Sequence, residues 1–235
     1  MFSVIIPTHN EESRIAATLK ELLAFLKGKY PGKFEIIIVD DGLDGTVGAV
    51  KRFSQKKENR ISIMHFPKRL GKGGALVRGM ARARGSELII YDADAATPPK
   101  EIPRMLTGLK RAELVIGSRA MEGSKVLSET PRRRKAASKA FNILVNALFG
   151  FHIRDTQCGF KGIRAKAARK LLPRFRLTGF EWDVELIVRA RQAGMKIREI
   201  PIEWKNKKEG KVNPADTIAM LRGVFKLKRE FSLEA

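Results

Sequence analysis

The amino-acid sequence predicts an α/β fold: a mainly parallel central sheet with helices on both faces. Three observations carry this. The first half alternates short β-rich runs with amphipathic helices, and repeated βα units of that length imply a parallel sheet. The 235 residues suit one large domain. With 43% hydrophobic and 31% charged residues, the chain is a packed globular one, not a disordered or disulfide-framed one.

Residues 2–6 read as a buried strand closed by Pro7. Residues 12–27 follow as a helix, with Ile15, Leu19, Leu22, Leu23 and Leu26 at helical spacing. Strands are expected at 34–39, 61–65, 87–91 and 114–117, and helices at 45–57, 74–84 and 100–110. Residues 119–131 hold Gly123 and Pro131 among polar residues and read as a mobile loop. Beyond it, 132–149 is a helix with a basic start and an apolar stripe through Ala137, Ala140, Phe141, Leu144, Val145 and Leu148. Residues 155–163 look like a strand region, 165–172 and 182–193 like helices, and 197–204 like a strand pair broken by Pro201. An amphipathic helix at 216–231 ends the pattern. No linker divides the chain, so residues 1–213 form one expected domain and 214–235 a C-terminal helix of the same unit.

Charge narrows the partners. Forty-seven Lys and Arg against 25 Asp and Glu leave a formal charge of +22, which favours nucleic acid, anionic lipid or a phosphorylated substrate. Few aromatics and no RRM, KH or OB signature argue against nucleic acid. Cys158 stands alone, which excludes an internal disulfide and a cysteine zinc cluster. His9, His65 and His152 are scattered, so a zinc hydrolase is disfavoured. The longest mainly apolar run, 141–151, falls short of the about twenty residues of a membrane span. The first residues lack the pattern of a signal peptide. The expectation is a cytoplasmic chain whose membrane contact is peripheral. Phe141, Leu144, Leu148 and Phe149, or Phe225 and Phe231, would add a shallow apolar anchor if exposed.

In open α/β sheets ligands bind beyond the carboxyl ends of the strands. The first strand runs into Pro7-Thr8-His9-Asn10-Glu11-Glu12, so the dinucleotide-binding G-x-G-x-x-G is absent there. Gly71-Lys72-Gly73-Gly74 lacks the P-loop pattern. It either offers backbone N–H groups and Lys72 to a phosphate or is a plain turn. After the second strand, Asp40-Asp41-Gly42 places a carboxylate for a base or ribose, or supplies a helix cap. After the fourth, Asp92 and Asp94 point the same way, as a Mg²⁺ or Mn²⁺ site completed by substrate phosphates and water requires.

PTHNEE, VDDG, GKGGA, DAD, GSR, DTQCGFKG and FEWDVEL, in this order over roughly residues 2 to 213, resemble glycosyltransferase family two with the GT-A fold. The later segments are similar to the branch that transfers a hexose to dolichyl or another polyprenyl phosphate, with GKGGA, DADAAT and IRDTQCGFK closer to its glucosyl enzymes. The resemblance implies inverting transfer from a nucleotide sugar, UDP-glucose ahead of GDP-mannose, to that lipid phosphate at an anionic membrane surface. It implies nucleotide binding by Pro7, His9, Glu11, Asp40, Lys72 and Asp92. It places Mg²⁺ or Mn²⁺ on Asp92 and Asp94, and the acceptor phosphate on Arg119, Arg134 and Ser138. Asp94, Arg119 and Asp155 are the implied catalytic residues, Asp155 as base or as the group orienting an arginine. His9 stands where the family has an aromatic, DDGLDGT is one residue short, and Ala96 replaces a glutamine ligand of mannosyl enzymes. Glu181, Asp183 and Glu185 line the site or hold a helix. Cys158, Trp182 and Trp204 read as packed residues. A transferase with a soluble acceptor is the nearest alternative.

Overall fold

The computed structural model describes residues 1–56, 60–128, 131–205 and 214–234, with the side chains of 134, 214, 215 and 232–234 outside that description. The strands are β1 (Phe2–Thr8), β2 (Phe34–Asp40), β3 (Ile61–His65), β4 (Glu87–Ile90), β5 (Leu114–Ser118), β6 (Lys125–Val126), β7 (Lys161–Arg164), β8 (Ile197–Pro201) and β9 (Glu203–Trp204). The helices are α1 (Glu12–Lys29), α2 (Thr46–Ser54), α3 (Gly71–Arg82), α4 (Ile102–Leu109), α5 (Arg132–Phe149), α6 (Ala165–Leu171), α7 (Trp182–Gln192) and α8 (Pro214–Glu234).

Seven strands form one sheet in the order β3-β2-β1-β4-β7-β5-β8. All neighbours are parallel except β7, which runs antiparallel to both β4 and β5. Alternation along each strand separates two cores. Val4, Ile6, Ile36 and Ile38 meet α1, α2 and α4 on one face, through residues such as Leu19, Val50 and Met105. Ile5, Ile37, Val39 and Ile90 meet the other face, where Leu76, Trp182, Val145 and Val224 arrive from α3, α7, α5 and α8. Burial on both faces is why β2 is continuously apolar from Ile36 to Val39, between Glu35 and its final Asp40. The strand order turns back between β1 and β4. That switch point opens a crevice at their carboxyl ends, which positions the site.

Several expectations are corrected. The 155–163 region is extended strand only from Lys161, because the segment before it is held by side chains: Asn142 Oδ1 accepts from the Thr156 amide at 3.0 Å. Helix α3 starts at Gly71, three residues early, because Asp41 Oδ2 accepts from the amides of Leu70 and Gly71 at 2.7 and 2.8 Å. Gly71 itself takes φ +73°, a turn only glycine enters without strain. The 119–131 loop contains β6, which pairs in parallel with β9, and residues 129–130 of it lie outside the described residues. Helix α2 is described to Ser54, and Lys57, the last residue expected in it, lies outside the described residues. Phe149 is buried, stacked on Phe151 at 5.6 Å and edge-on to Phe231 at 5.8 Å, so neither Phe149 nor Phe231 is a free anchor. Phe141 and Leu148 also pack against that core. Among the described residues, the large apolar side chains exposed on α5 and α8 are Ile143 (59%), Ile218 (52%) and Phe225 (53%).

Candidate active site

A cleft of about 970 Å³ lies over the carboxyl ends of β1, β2, β4 and β5, closed on one side by α5 and α8. Pro7, His9 and Glu11 enter it after β1, Asp41 after β2, Lys72 from α3, Asp92 and Asp94 after β4, and Arg119 after β5. Ser138 of α5 and Asp183 of α7 complete that group.

Asp40 does not face the cleft. It is fully buried, one oxygen accepting from Thr8 Oγ1 at 2.8 Å and the other lying 2.9 Å from His65 Nδ1. The expectation that Asp40 meets a ligand is therefore corrected: its neighbour Asp41 is the carboxylate that lines the cleft, 2.9 Å from His9 Nδ1. The glycine-rich turn is corrected as well. The Gly71 amide is given to Asp41, and those of Gly73 and Gly74 to the Thr178 carbonyl at 2.7 and 3.3 Å. The charged group that the turn brings to the cleft is the Lys72 ammonium.

Asp92 and Asp94 share the cleft wall. Asp94 Oδ1 accepts from the Ala96 amide at 2.9 Å across a turn in which Ala95 takes φ +50°. Burial, and then the like charge of Asp92, push the Asp94 carboxyl above the usual range. Gly159 backs onto Asp92 so closely that a Cβ there would collide with the carboxylate. Lys72 Nζ lies 3.4 Å from Asp92 and 3.3 Å from Asp183. Burial works against its charge, but the two carboxylates outweigh it and hold the ammonium above the ordinary lysine range.

Arg119 enters the same cleft after β5. Its Nε and Nη2 donate to the two oxygens of Asp155 at 2.7 and 2.9 Å, and its amide adds a third bond at 3.0 Å. Its guanidinium lies 5.2 Å from the centre of the Trp204 ring, so Trp204 is a platform beneath the arginine as well as a core residue. Ser138 lies on α5, and the Arg134 side chain falls outside the described residues. Of the FEWDVEL carboxylates only Asp183 reaches the cleft. Glu181 accepts from the Gly179 amide, and Glu185 from the amides of Arg176 and Leu177. Trp182 is fully buried. Burial and then Asp155 push the Cys158 thiol up to about 12, the state of a packed residue.

Two residues escaped sequence reasoning. Lys161 is completely buried at the start of β7, and its place between Phe160 and Gly162 was the available signal. Gln157 lines the cleft with its amide nitrogen buried and without a hydrogen-bond partner among the described residues. No local pattern announces it.

A mainly parallel sheet with a carboxylate pair at its switch point is the architecture of a GT-A glycosyltransferase. Residues 3–172 match the model of glycosyl transferase family 2, and the chain belongs to that family. It is 33% identical to Glycosyltransferase AglD of Haloferax volcanii over 90% of this chain, and spans only about a third (34%) of that protein. It is 33% identical to the dolichyl-phosphate beta-glucosyltransferase of Drosophila melanogaster (90% of this chain, 69% of that one) and 31% identical to that of Saccharomyces cerevisiae (98% and 75%). Among solved structures, glucosyl-3-phosphoglycerate synthase of Mycobacterium tuberculosis superposes with a TM-score of 0.72 at 18% identity, over 98% of this chain and 79% of that one. Mannosyl-3-phosphoglycerate synthase of Rubrobacter xylanophilus gives 0.71 at 19%, over 98% and 74%. The fold is common to all of them. Among the described residues no helix is long and apolar enough to cross a membrane.

Proposed function

We propose that the chain transfers glucose from UDP-glucose to the phosphate of dolichol or a related polyprenol, with inversion, and that α8 is part of the same catalytic unit. The observation that carries this reading is one cleft with two anion sites. Lys72 stands beside Asp92, and Arg119 is held in its Asp155 clamp, both lining that cleft. A donor diphosphate and an acceptor phosphate need two such cations in one cleft. The glucosyl names of the relatives favour glucose over mannose, and UDP over GDP.

The donor set suits a hard divalent cation. Asp92 and Asp94 offer carboxylate oxygens, and burial, then the like charge of Asp92, works against the ionised Asp94, which a cation would favour. No cluster of three His, Cys, Asp or Glu forms a cage among the described residues, so phosphates and water complete the coordination. When bound, Mg²⁺ or Mn²⁺ supplies Lewis-acid stabilisation of the charge growing on the leaving diphosphate. His9 and Asp41 take the base and ribose end, with Pro7 and Glu11 beside them.

A phosphate monoester has its second pKa near 6, so the acceptor is mostly dianionic at pH 7 and needs positioning more than deprotonation. Asp155, with both oxygens on Arg119, acts by orienting that guanidinium. Arg119, with Arg134 and Ser138 one turn apart on α5, aligns the phosphate oxygen that attacks the anomeric carbon as its bond to the diphosphate breaks. We place the chain as a peripheral protein on the cytoplasmic membrane face, whose anionic lipids attract basic segments. The test is a thermal-shift titration with Mn²⁺ or Mg²⁺. UDP-glucose should raise the melting temperature more than GDP-mannose does, and the reverse order would reassign the donor.

A further inference from the structure

A lysine without solvent exposure stands outside the mechanism above. Lys161 Nζ donates to the carbonyls of Thr156 and Cys158 and to Asp183 Oδ1, the last at 2.6 Å. Desolvating an ammonium costs several kcal/mol unless an anion and further acceptors compensate it. Here the anion is Asp183, whose second oxygen is 3.3 Å from Lys72, which in turn is 3.4 Å from Asp92. Alternating charges thus run from the core through β7, α7 and α3 to the carboxylate beyond β4.

The distances along this file are unequal. Lys161 holds Asp183 tightly, whereas Lys72 is held loosely by two carboxylates at once. A lysine side chain on its own has wide rotamer freedom. With one oxygen of Asp183 already committed, Lys72 cannot collapse into a two-oxygen pair with it, and stays shared with Asp92. A diphosphate entering the cleft replaces those long contacts with shorter charge-assisted bonds.

We propose that Lys161 is a positioning residue: acting through Asp183, it keeps the Lys72 ammonium beside Asp92, where the diphosphate of the nucleotide sugar arrives. The proposal rests on reading the cleft as a nucleotide-sugar site. A purely structural role, tying the 156–158 segment to α7, would use the same contacts, so the test must separate the two.

UDP affinity, measured by calorimetry with Mn²⁺, is compared with the melting temperature in the full chain. Lys161→Met should lower both, with UDP bound at least tenfold more weakly. The double variant Lys161→Met/Asp183→Leu removes the buried ion pair together, a replacement that is often neutral for stability. It should recover the melting temperature and still bind UDP at least tenfold more weakly. Asp183→Asn, the same size but leaving the Lys161 ammonium without its anion, should lower the melting temperature and show the same loss, and it stands in if the double variant does not fold. UDP affinity within twofold of the parent in whichever of these two variants folds would overturn the proposal and leave the nucleotide-sugar reading intact. A parent chain that binds no UDP overturns both.

Discussion

Asp94 and Arg119 line the same cleft, and with one proposed for the donor and the other for the acceptor, single substitutions should separate them. Asp94→Asn keeps the size and removes one charge of the proposed metal-holding pair. It should abolish transfer and reduce UDP binding, and EDTA should do the same to the parent chain. Arg119→Lys keeps an ion pair with Asp155 but loses the two-pronged fork. A charge-assisted bond contributes about 1.5–3 kcal/mol, so transfer to the lipid phosphate should fall roughly 10- to 150-fold while UDP affinity holds. Steady-state kinetics beside calorimetry checks both. If the arginine variant loses UDP and keeps acceptor use, the donor and acceptor residues are assigned the wrong way round.

At the scale of elements, the ends of β1 and β2 away from the cleft are fastened by Glu35. It accepts from Ser3 Oγ and the Arg84 amide, both at 2.7 Å, and pairs with the Arg84 guanidinium at 3.0 Å. Burial alone would raise its carboxyl, but the Ser3 and Arg84 donors outweigh it and hold it below the usual 4.5. A carboxyl depressed by folding adds stability above its unfolded value, and that stability is lost as pH falls through the folded value. Glu35→Gln should therefore cost about 1–3 kcal/mol near neutral pH. Its gap in melting temperature from the parent chain should close as pH falls below 4.5. A gap that stays constant to lower pH would show that the carboxylate charge is not what fastens the strands.

The elements differ in how well the sequence reveals them, for a physical reason. Buried parallel strands are runs of Ile and Val, so β1, β2 and β4 were legible, and the switch-point rule pointed to Asp92, Asp94 and Lys72 before any coordinates. The 155–160 segment was misread because periodicity cannot distinguish a strand from a turn held by buried side chains. Asp40 and Asp41 are adjacent, and which one turns inward depends on Thr8 and His65 across the sheet. Lys161 meets its carboxylate 22 residues away, a contact no local pattern encodes.

For the whole molecule, the formal charge of +22 is the property tied most closely to location. Arg132, Arg133, Lys135 and Lys139 of α5 and Arg222, Lys226 and Arg229 of α8 are exposed beside Ile143, Ile218 and Phe225. Each such cation near anionic lipid contributes about 1 kcal/mol, screened over about 8 Å at physiological salt. The protein should sediment with phosphatidylserine liposomes at low salt, release at high salt, and bind neutral liposomes much less. Equal partitioning to both would detach the charge from membrane binding. The acceptor itself is tested most directly by one competition: radiolabelled UDP-glucose and Mn²⁺ with dolichyl phosphate and 3-phosphoglycerate in the same vessel. Label extracted into organic solvent as a mild-acid-labile glucosyl lipid is the predicted result, and label confined to glucosylated phosphoglycerate in the aqueous phase would contradict it.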